Sequence, residues 1–373
     1  MIMIPVCTPL LGKNEKKYLL DCLHENYISS GGKYIGKFEE SFSRYCGCRY
    51  GIAVTSGTTA LHLALVVLGI KSGDEVIMPT FTIASTAFAA IYCGARPVFV
   101  DSEIGTWNID VSKIEEKITK KTKVIMPVHI YGSPCKMDDI RKLARRYKLS
   151  VVEDAAEAHG AEYHGKKVGG LGDVGCFSFY GNKIITTGEG GMIVTNDDTI
   201  ARRCRSLRNL AFQEQRRYWH EEIGFNYRMT NIQAALGLAQ FERIEELVDR
   251  RRKNARLYHS FLRNIKGLTL PMETENTKNV YWMYGLCVNK DFGLTRDAVI
   301  QKLREKGVET RTFFWPMHLQ PVLKRMKLAT GRYPVAEDIA RRGFYLPSGG
   351  GLTKKEIQYI CESIAQIKQD GRK

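Results

Sequence analysis

The sequence predicts an α/β protein with a wide, mostly parallel sheet of seven strands covered by helices, followed by a smaller α+β domain. Between residues 50 and 200, short apolar runs bounded by Gly, Pro and Asp alternate with longer helical patterns, as in sheets whose parallel strands are joined by helices. After about residue 198 the pattern changes to long helices and short strands. The 373 residues exceed the ~250–300 at which one core usually stops growing, so two domains are expected.

The elements of the first part follow from their apolar spacing. The seven predicted strands are Tyr50–Val54, Glu75–Met78, Pro97–Val100, Val124–Val128, Ser150–Glu153, Gly175–Phe179 and Met192–Thr195. The predicted helices between them are Thr59–Leu68, Ala84–Tyr92 and Met137–Tyr147. Two of these helices are apolar enough to be buried, and the third is amphipathic with a basic outer face.

Helical spacing continues through Thr230–Arg251, which we expect to form one helix leading the chain out of the first domain. The remainder predicts helices at Leu294–Lys306 and Lys354–Lys368, and strands at Tyr284–Val288 and Val308–Phe313. We place the boundary near residue 248. The prediction is therefore a large domain over residues 1–248 and a small C-terminal domain over residues 249–373.

Charge favours a small anionic ligand over a nucleic acid. Lys and Arg number 56 against 40 acidic residues, a net charge of +16. The basic residues are spread along the chain or occur in short runs such as Arg250–Lys253, without the aromatic interleaving of an RNA-binding motif or the spacing of a zinc finger. We therefore predict no nucleic-acid partner and no metal site.

Cysteine usage and hydropathy favour a cytoplasmic protein. Ten cysteines are scattered without framework spacing, and the close pair Cys46 and Cys48 lacks a second pair to complete a metal site. No apolar run approaches the ~20 residues that cross a bilayer. The apolar start Met1–Val6 lacks the basic region and cleavage site of a signal peptide. We expect reduced thiols and no membrane association.

The most informative stretch is Gly175–Gly191, in which a predicted strand runs into a Gly-Asn turn, then Lys183, then a turn of small residues. A lone lysine is more often a solvated charge. Here it lies just past the end of a buried strand, where α/β folds place reactive groups. Partial burial would lower the lysine pKa and favour the neutral amine that a Schiff base requires.

Asp154 ends the hydrophobic strand that begins at Ser150. A buried carboxylate needs a partner. A protonated pyridine nitrogen would be such a partner, because an aspartate keeps that nitrogen protonated and the ring able to accept electrons. The alternative is an N-cap for a following helix, and the residue alone does not decide between them.

A third element, Thr55–Thr59, directly precedes the apolar run Ala60–Leu68. Backbone N–H groups and hydroxyls at a helix start form a phosphate site, although the same residues also simply cap helices. Ser178 is placed to add a hydroxyl to that phosphate. The order of phosphate turn, acidic strand end and lysine on one parallel sheet is more specific than any of the three alone.

With this order, the chain resembles the DegT/DnrJ/EryC1/StrS family of sugar aminotransferases over nearly its whole length. The matching segments are Tyr27–Gly32, Ser56–Ala64, Gly73–Ile77, Val128–Gly132, Glu153–Ala158, Gly175–Gly191, Gly224–Ala235 and Arg311–His318. The resemblance implies the fold of aspartate aminotransferase and pyridoxal 5'-phosphate (PLP) as cofactor.

The resemblance also implies the role of each cofactor residue. Lys183 would carry PLP covalently and act as acid and base, and Asp154 would pair with the pyridinium nitrogen. Glu157 would lie near the ring hydroxyl, where many relatives have Gln. The residues expected to hold or adjoin the phosphate are Gly57, Thr58, Thr59 and Ser178.

Two further cofactor contacts are implied. Asn226 would reach the phosphate of a neighbouring subunit, so the expected active unit is a homodimer with shared sites. Ile83 stands where relatives usually place an aromatic that stacks on the cofactor ring. It can pack on that face, but without the ~0.5–1.5 kcal/mol that stacking contributes.

The implied reaction moves the amino group of L-glutamate to C4 of a nucleotide-linked 4-keto-6-deoxy sugar. The segments Arg216–His220, Phe225–Asn231 and Arg311–His318 look closest to the members that use GDP-4-keto-6-deoxymannose. Our candidates for contacting this substrate are Arg228, Arg311 and His318, each of which has a plain alternative as a surface or interface charge.

Other functions remain open at this point. A UDP- or dTDP-linked keto-sugar would serve the same chemistry. A PLP sugar dehydratase would carry histidine in place of Lys183, and a non-catalytic regulator on the same scaffold could lose the lysine altogether, so Lys183 disfavours both. Nucleic-acid binding rests on net charge alone and would fall steeply with salt.

Overall fold

The computed structural model describes residues 3–213, 215–216 and 218–371. Its strands are β1 (Tyr50–Val54), β2 (Glu75–Pro79), β3 (Arg96–Val100), β4 (Thr122–Ile125), β5 (Ser150–Asp154), β6 (Glu162–Tyr163), β7 (Lys166–Lys167), β8 (Val174–Ser178), β9 (Gly191–Thr195), β10 (Leu268–Thr269), β11 (Thr277–Lys278), β12 (Tyr284–Val288), β13 (Arg311–Thr312) and β14 (Gly343–Leu346).

Helices pack against both sheets. They are α1 (Lys13–His24), α2 (Lys33–Tyr45), α3 (Gly57–Val67), α4 (Ala84–Tyr92), α5 (Met137–Tyr147), α6 (Asp198–Arg208), α7 (Asn231–Phe241), α8 (Ile244–Leu262), α9 (Arg296–Glu305), α10 (Pro321–Arg325), α11 (Pro334–Arg342) and α12 (Lys354–Asp370).

The seven predicted strands form one sheet in the order β1-β9-β8-β5-β4-β2-β3. Strands β2, β3, β4, β5 and β8 pair in parallel, whereas β9 is antiparallel to both β8 and β1. Strand β1 therefore points the same way as β5 and β8. The carboxyl ends of these three strands meet at one edge of the sheet, and the predicted α/β fold class is confirmed.

The sheet core is apolar because the strands are buried on both faces. Strand β9 is buried along its whole length, and in β1 and β5 the first residue alone is partly exposed. Such continuous apolar runs are typical of parallel sheets sandwiched between helices. The rigid sheet therefore holds its strand ends at defined positions relative to one another.

The prediction of a single helix over Thr230–Arg251 is wrong. The chain forms two helices, α7 and α8, separated where Arg243 leaves the helical region with φ −115° and ψ 16°. Leu247 N–H still bonds to the Arg243 carbonyl, so α8 starts at this break. Hydrophobic spacing does not reveal the break, because helical spacing continues on both sides of it.

The C-terminal part contains an antiparallel sheet in the order β10-β12-β14-β13, with α8, α9 and α12 supplying a second hydrophobic cluster. The strand expected over Val308–Phe313 shortens to Arg311–Thr312, because Val308 instead forms a bridge with Ile4. The boundary at residue 248 falls inside α8 and stays a prediction. No helix in the described ranges is long and apolar enough to cross a membrane.

Candidate active site

The candidate site lies at the sheet edge where β1, β5 and β8 end. Asp154 is the last residue of β5, and in the parallel register it faces Cys176, two residues before the end of β8. Val54 at the end of β1 is opposite Gly191, which also pairs with Ser178 at the end of β8. The three elements singled out in the sequence are thus neighbours in space.

Asp154 is 2% exposed, and it does not cap a helix, since turns rather than a helix follow it. Its Oδ2 accepts a hydrogen bond of 2.8 Å from Thr86 Oγ1, and its Oδ1 accepts one of 3.3 Å from the Ala156 N–H. Burial raises the pKa of this carboxyl, and the two hydrogen bonds partly oppose the effect. A carboxylate held in this way is suited to a cationic partner.

Helix α3 begins beside Asp154 with a complete N-terminal cap. The Ser56 hydroxyl accepts from the Thr59 N–H at 3.2 Å, and the Thr59 hydroxyl donates to the Ser56 carbonyl at 2.9 Å. The hydroxyl of Thr58 donates to Ser85 Oγ at 2.9 Å. The turn therefore caps the helix, and the phosphate site at the same helix start stays a prediction.

Close packing against Ser178 requires a glycine at position 57. A Cβ atom at this position would lie 2.7 Å from the Cβ of Ser178, closer than real side chains approach. The start of α3 therefore packs directly against the end of β8. This contact brings the Ser178 hydroxyl and the first amides of the helix to one small area, as a phosphate requires.

Lys183 lies in the turn after β8 and is 9% exposed. Its Nζ is 3.7 Å from the centroid of the Trp282 ring. Burial lowers the pKa of the amine, while the negative charges of Glu157 and Asp154 raise it. The alternative that Lys183 is a solvated surface charge is wrong.

Glu157 is buried three residues beyond Asp154, and its Oε2 accepts a hydrogen bond of 2.7 Å from the Tyr131 N–H. Burial raises the pKa of Glu157 to about 7, although the Lys183 charge acts in the opposite direction. Tyr131 adopts a left-handed backbone conformation with φ 52°. Its hydroxyl is buried without a hydrogen-bond partner within the described part of the chain.

A second buried network behind Asp154 was missed by sequence reasoning. Glu153 accepts three hydrogen bonds of 2.6–2.8 Å from N–H groups in the loop at residues 169–172. Its Oε2 also lies 3.0 Å from His129 Nε2, and His129 Nδ1 accepts from the Cys135 N–H at 3.0 Å. Since Nδ1 accepts, Nε2 carries the proton and donates to Glu153.

The same reasoning also missed Thr86 and Trp282. Thr86 is far along the chain from Asp154, and Trp282 is far from Lys183. No local sequence pattern indicates these contacts, because they form only when the chain is folded. The sequence showed only a threonine in an apolar helix and a tryptophan before a strand.

The predicted substrate residues occupy three different environments. Arg228 donates to Asn209 Oδ1 at 2.6 Å, and Arg311 is exposed with its nearest described carboxylate, that of Glu309, at 3.6 Å. His318 is 4% exposed; its Nδ1 lies 2.8 Å from Thr80 Oγ1 and its Nε2 3.1 Å from Glu337 Oε1. Because both ring nitrogens of His318 have partners within the protein, its first role is structural.

Asn226 and Ile83 lie on exposed surface. Asn226 is in the connection between α6 and α7, where its neighbours Phe225 and Tyr227 stack with ring centroids 4.9 Å apart. Ile83 is 44% exposed at the start of α4. Arg217, part of the segment that suggested the GDP-linked substrate, lies outside the described residues.

Comparison with known proteins identifies the relationship. The profile of the DegT/DnrJ/EryC1/StrS aminotransferase family matches residues 9–365. The chain belongs to this family. The predicted enzyme class, a PLP-dependent sugar-nucleotide aminotransferase, is confirmed together with the family.

Three similar proteins illustrate the extent of the match. The GDP-perosamine synthase of Caulobacter vibrioides is 48% identical, with 98% of both chains covered. The GDP-perosamine synthase of Escherichia coli O157:H7 is 46% identical, with 99% of this chain and 100% of that protein covered. S. venezuelae DesV, solved in complex with a ketimine intermediate, superimposes with a TM-score of 0.90 at 34% identity, covering 95% and 94% of the two chains.

Proposed function

We propose that this enzyme transfers the amino group of L-glutamate to C4 of GDP-4-keto-6-deoxymannose, giving GDP-perosamine for the synthesis of a surface polysaccharide. The observation that carries the reaction type is the meeting of a buried lysine, a buried carboxylate and a helix N-terminus at one sheet edge. The substrate is supported by the two GDP-perosamine synthases, whose similarity extends over nearly the entire chain.

The residues of the site fit PLP. The close packing of Gly57 on Ser178 gives a phosphate a shallow cradle beside the first amides of α3. The buried Asp154 carboxylate, whose described bonds come only from neutral donors, provides the partner that a pyridinium nitrogen needs. When bound, PLP supplies an electron sink for the carbanion formed at the amino-acid or sugar carbon.

Lys183 anchors the cofactor and moves protons in both half-reactions. Its burial favours the neutral amine, which is the form that bonds to the cofactor and removes a proton from carbon. In the first half-reaction the amine would take the proton from the α-carbon of the amino donor, and in the second it would deliver a proton to C4 of the sugar. Such positioned acid–base catalysis is typically worth 10²–10⁴-fold.

Asp154 and Glu157 have separate electrostatic roles in this proposal. Asp154 would hold the ring nitrogen protonated, with its carboxylate oriented for that contact by Thr86. Glu157, oriented by the Tyr131 N–H, would lie near the ring hydroxyl. Because its pKa is raised to about 7, Glu157 can donate a proton to the hydroxyl oxygen or accept one from it.

The active unit in this proposal is a homodimer. In the loop between α6 and α7, the rings of Phe225 and Tyr227 stack on each other, and Tyr227 Oη lies 3.0 Å from His62 Nδ1. These contacts hold the loop against the protein. Asn226 between them is exposed and is therefore free to reach the phosphate bound by the other subunit. Arg228 and Arg311 are the charges available to the substrate diphosphate. The predicted cytoplasmic location stays a prediction.

The test starts from protein loaded with pyridoxamine phosphate. GDP-, UDP- and dTDP-linked 4-keto-6-deoxy sugars are offered separately, and the absorbance of the lysine-bound cofactor is followed. The GDP-linked sugar should restore this absorbance fastest, with an amino group at C4 of the product by NMR. A response to a simple keto acid but to none of the sugars would contradict the substrate, and a protein that never binds PLP would contradict the entire proposal.

A further inference from the structure

An aromatic ring lies against the proposed catalytic amine. Trp282 is 3% exposed, and its ring centroid lies 3.7 Å from Lys183 Nζ. The tryptophan comes from the segment that leads into β12, one hundred residues away from the turn that carries the lysine. The C-terminal part of the chain therefore reaches directly to the amine.

Three contacts hold the indole in this position. Its Nε1–H donates at 2.8 Å to the carbonyl of Asn182, the residue that precedes Lys183. The Trp282 carbonyl accepts at 2.7 Å from Arg251 Nη1. The Tyr131 ring packs against the indole with centroids 6.3 Å apart and an angle of 30°. The ring cannot turn away from the amine without losing the bond to the lysine's own turn.

The electrostatic consequence depends on the protonation state of the amine. An aromatic face attracts an ammonium group, and most strongly where water is excluded, but has no such attraction for a neutral amine. The negative charges of Glu157 and Asp154 also favour the ammonium. The buried His159 does not oppose it, because burial lowers the pKa of its imidazole to about 3 and the ring stays neutral. The indole therefore favours the protonated Lys183 amine, as the two carboxylates do.

We propose that Trp282 is a positioning residue that holds the amine of Lys183, detached from the cofactor and protonated, between the two proton transfers. This inference rests on the proposed role of Lys183 as anchor and base. When the amine takes a proton from carbon, an N–H bond forms and the C–H electron pair stays in the conjugated ring system. The indole then retains the ammonium within reach of the carbon that receives the proton.

The test compares Trp282→Phe, which keeps an aromatic face, with Trp282→Met and Trp282→Leu, which fill part of the volume without one. Trp107→Leu is the matched control, since Trp107 is also buried, at 5% exposure, and packs on Phe313 with centroids 5.1 Å apart. Each protein is loaded with pyridoxamine phosphate, which leaves Lys183 free. Acetylation of Lys183 by acetic anhydride is measured by mass spectrometry of its peptide across a range of pH.

The neutral amine is the reactive form, so the pH at which labelling reaches half its maximum reports the protonation of Lys183. In the Met and Leu variants this midpoint should move to lower pH, giving about tenfold faster labelling on the acidic side. The Phe variant and the Trp107→Leu control should remain within about threefold of the wild type. A change in reagent access would scale the rates at every pH without moving the midpoint.

Two results would overturn the proposal: an unchanged midpoint in both Met and Leu variants, or an equal shift in the Trp107 control. Should the Leu variant fail to fold, the Met variant carries the comparison. A separate measurement tests the underlying role of Lys183: borohydride reduction of the PLP-loaded wild type should attach the cofactor to Lys183. Attachment elsewhere would contradict the proposed anchor and leave the contact with Trp282 as packing alone.

Discussion

The two sides of the candidate site differ in how firmly this chain by itself holds them. On the cofactor side, Asp154 and Glu157 are buried and bonded to groups of the same subunit. On the other side, Asn226, proposed to reach the cofactor phosphate of another subunit, and Arg311, proposed to contact the substrate, are exposed. The chain therefore orders Asp154 and Glu157 in advance, whereas the positions of Asn226 and Arg311 depend on what binds them.

The largest expected effect is on the cofactor side, at Lys183. Lys183→Ala removes both the covalent anchor and the acid–base group, so turnover should fall by ~10³-fold or more. Steady-state assays give the loss, and the absorbance of the lysine-bound cofactor should be absent. Lys183→Arg keeps the positive charge and serves as the control. Substantial turnover in either variant would assign the chemistry to another group.

The next effect tests whether the exposed side of the site is shared between subunits. Asn226→Asp places a negative charge opposite the proposed phosphate, and cofactor affinity should fall by about tenfold or more. Mixing this variant with Lys183→Ala should restore activity, because each mixed dimer would contain one site with neither change. Mixed dimers, purified through a different affinity tag on each variant, should approach half the wild-type turnover. Failure of complementation would place Asn226 and Lys183 in the site of one subunit.

A smaller effect separates the substrate candidates. Arg311→Ala should raise KM for the nucleotide sugar about tenfold with little change in unfolding temperature, since Arg311 is exposed. His318→Ala should instead lower the unfolding temperature, because it leaves Thr80 and Glu337 without their partner. Steady-state kinetics and thermal unfolding give both numbers. The reverse pattern would exchange the roles of the two residues.

The smallest expected effect is a pH dependence of stability in the cofactor-free protein. The pKa of Glu157 rises on folding from its ordinary 4.5 to about 7, so between these values the folded state binds more protons than the unfolded state. The free energy of unfolding should therefore fall as pH rises through this range. Glu157→Gln should remove most of that fall. Denaturant unfolding at several pH values measures it, and parallel curves for both proteins would contradict the buried titration.

Much of the fold follows from local spacing alone. Helices α4 and α5 match their predicted bounds, Ala84–Tyr92 and Met137–Tyr147. The break at Arg243 and the shortening of the strand expected over Val308–Phe313 were not predictable in this way. Arg243 donates to the carbonyl of Leu10, and Val308 forms a bridge with Ile4. Local apolar spacing contains no information about such distant contacts.

The sequence by itself determined the order of phosphate turn, acidic strand end and lysine, and with it the family and its chemistry. These residues are short-range features at strand ends, and a parallel sheet brings such ends together whatever the details of packing. The tertiary structure alone decided which side chains support them: Thr86 on Asp154, the Tyr131 amide on Glu157 and Trp282 on Lys183. Their partners are separated by 26 to about 100 residues, and only the folded chain gives them their short distances.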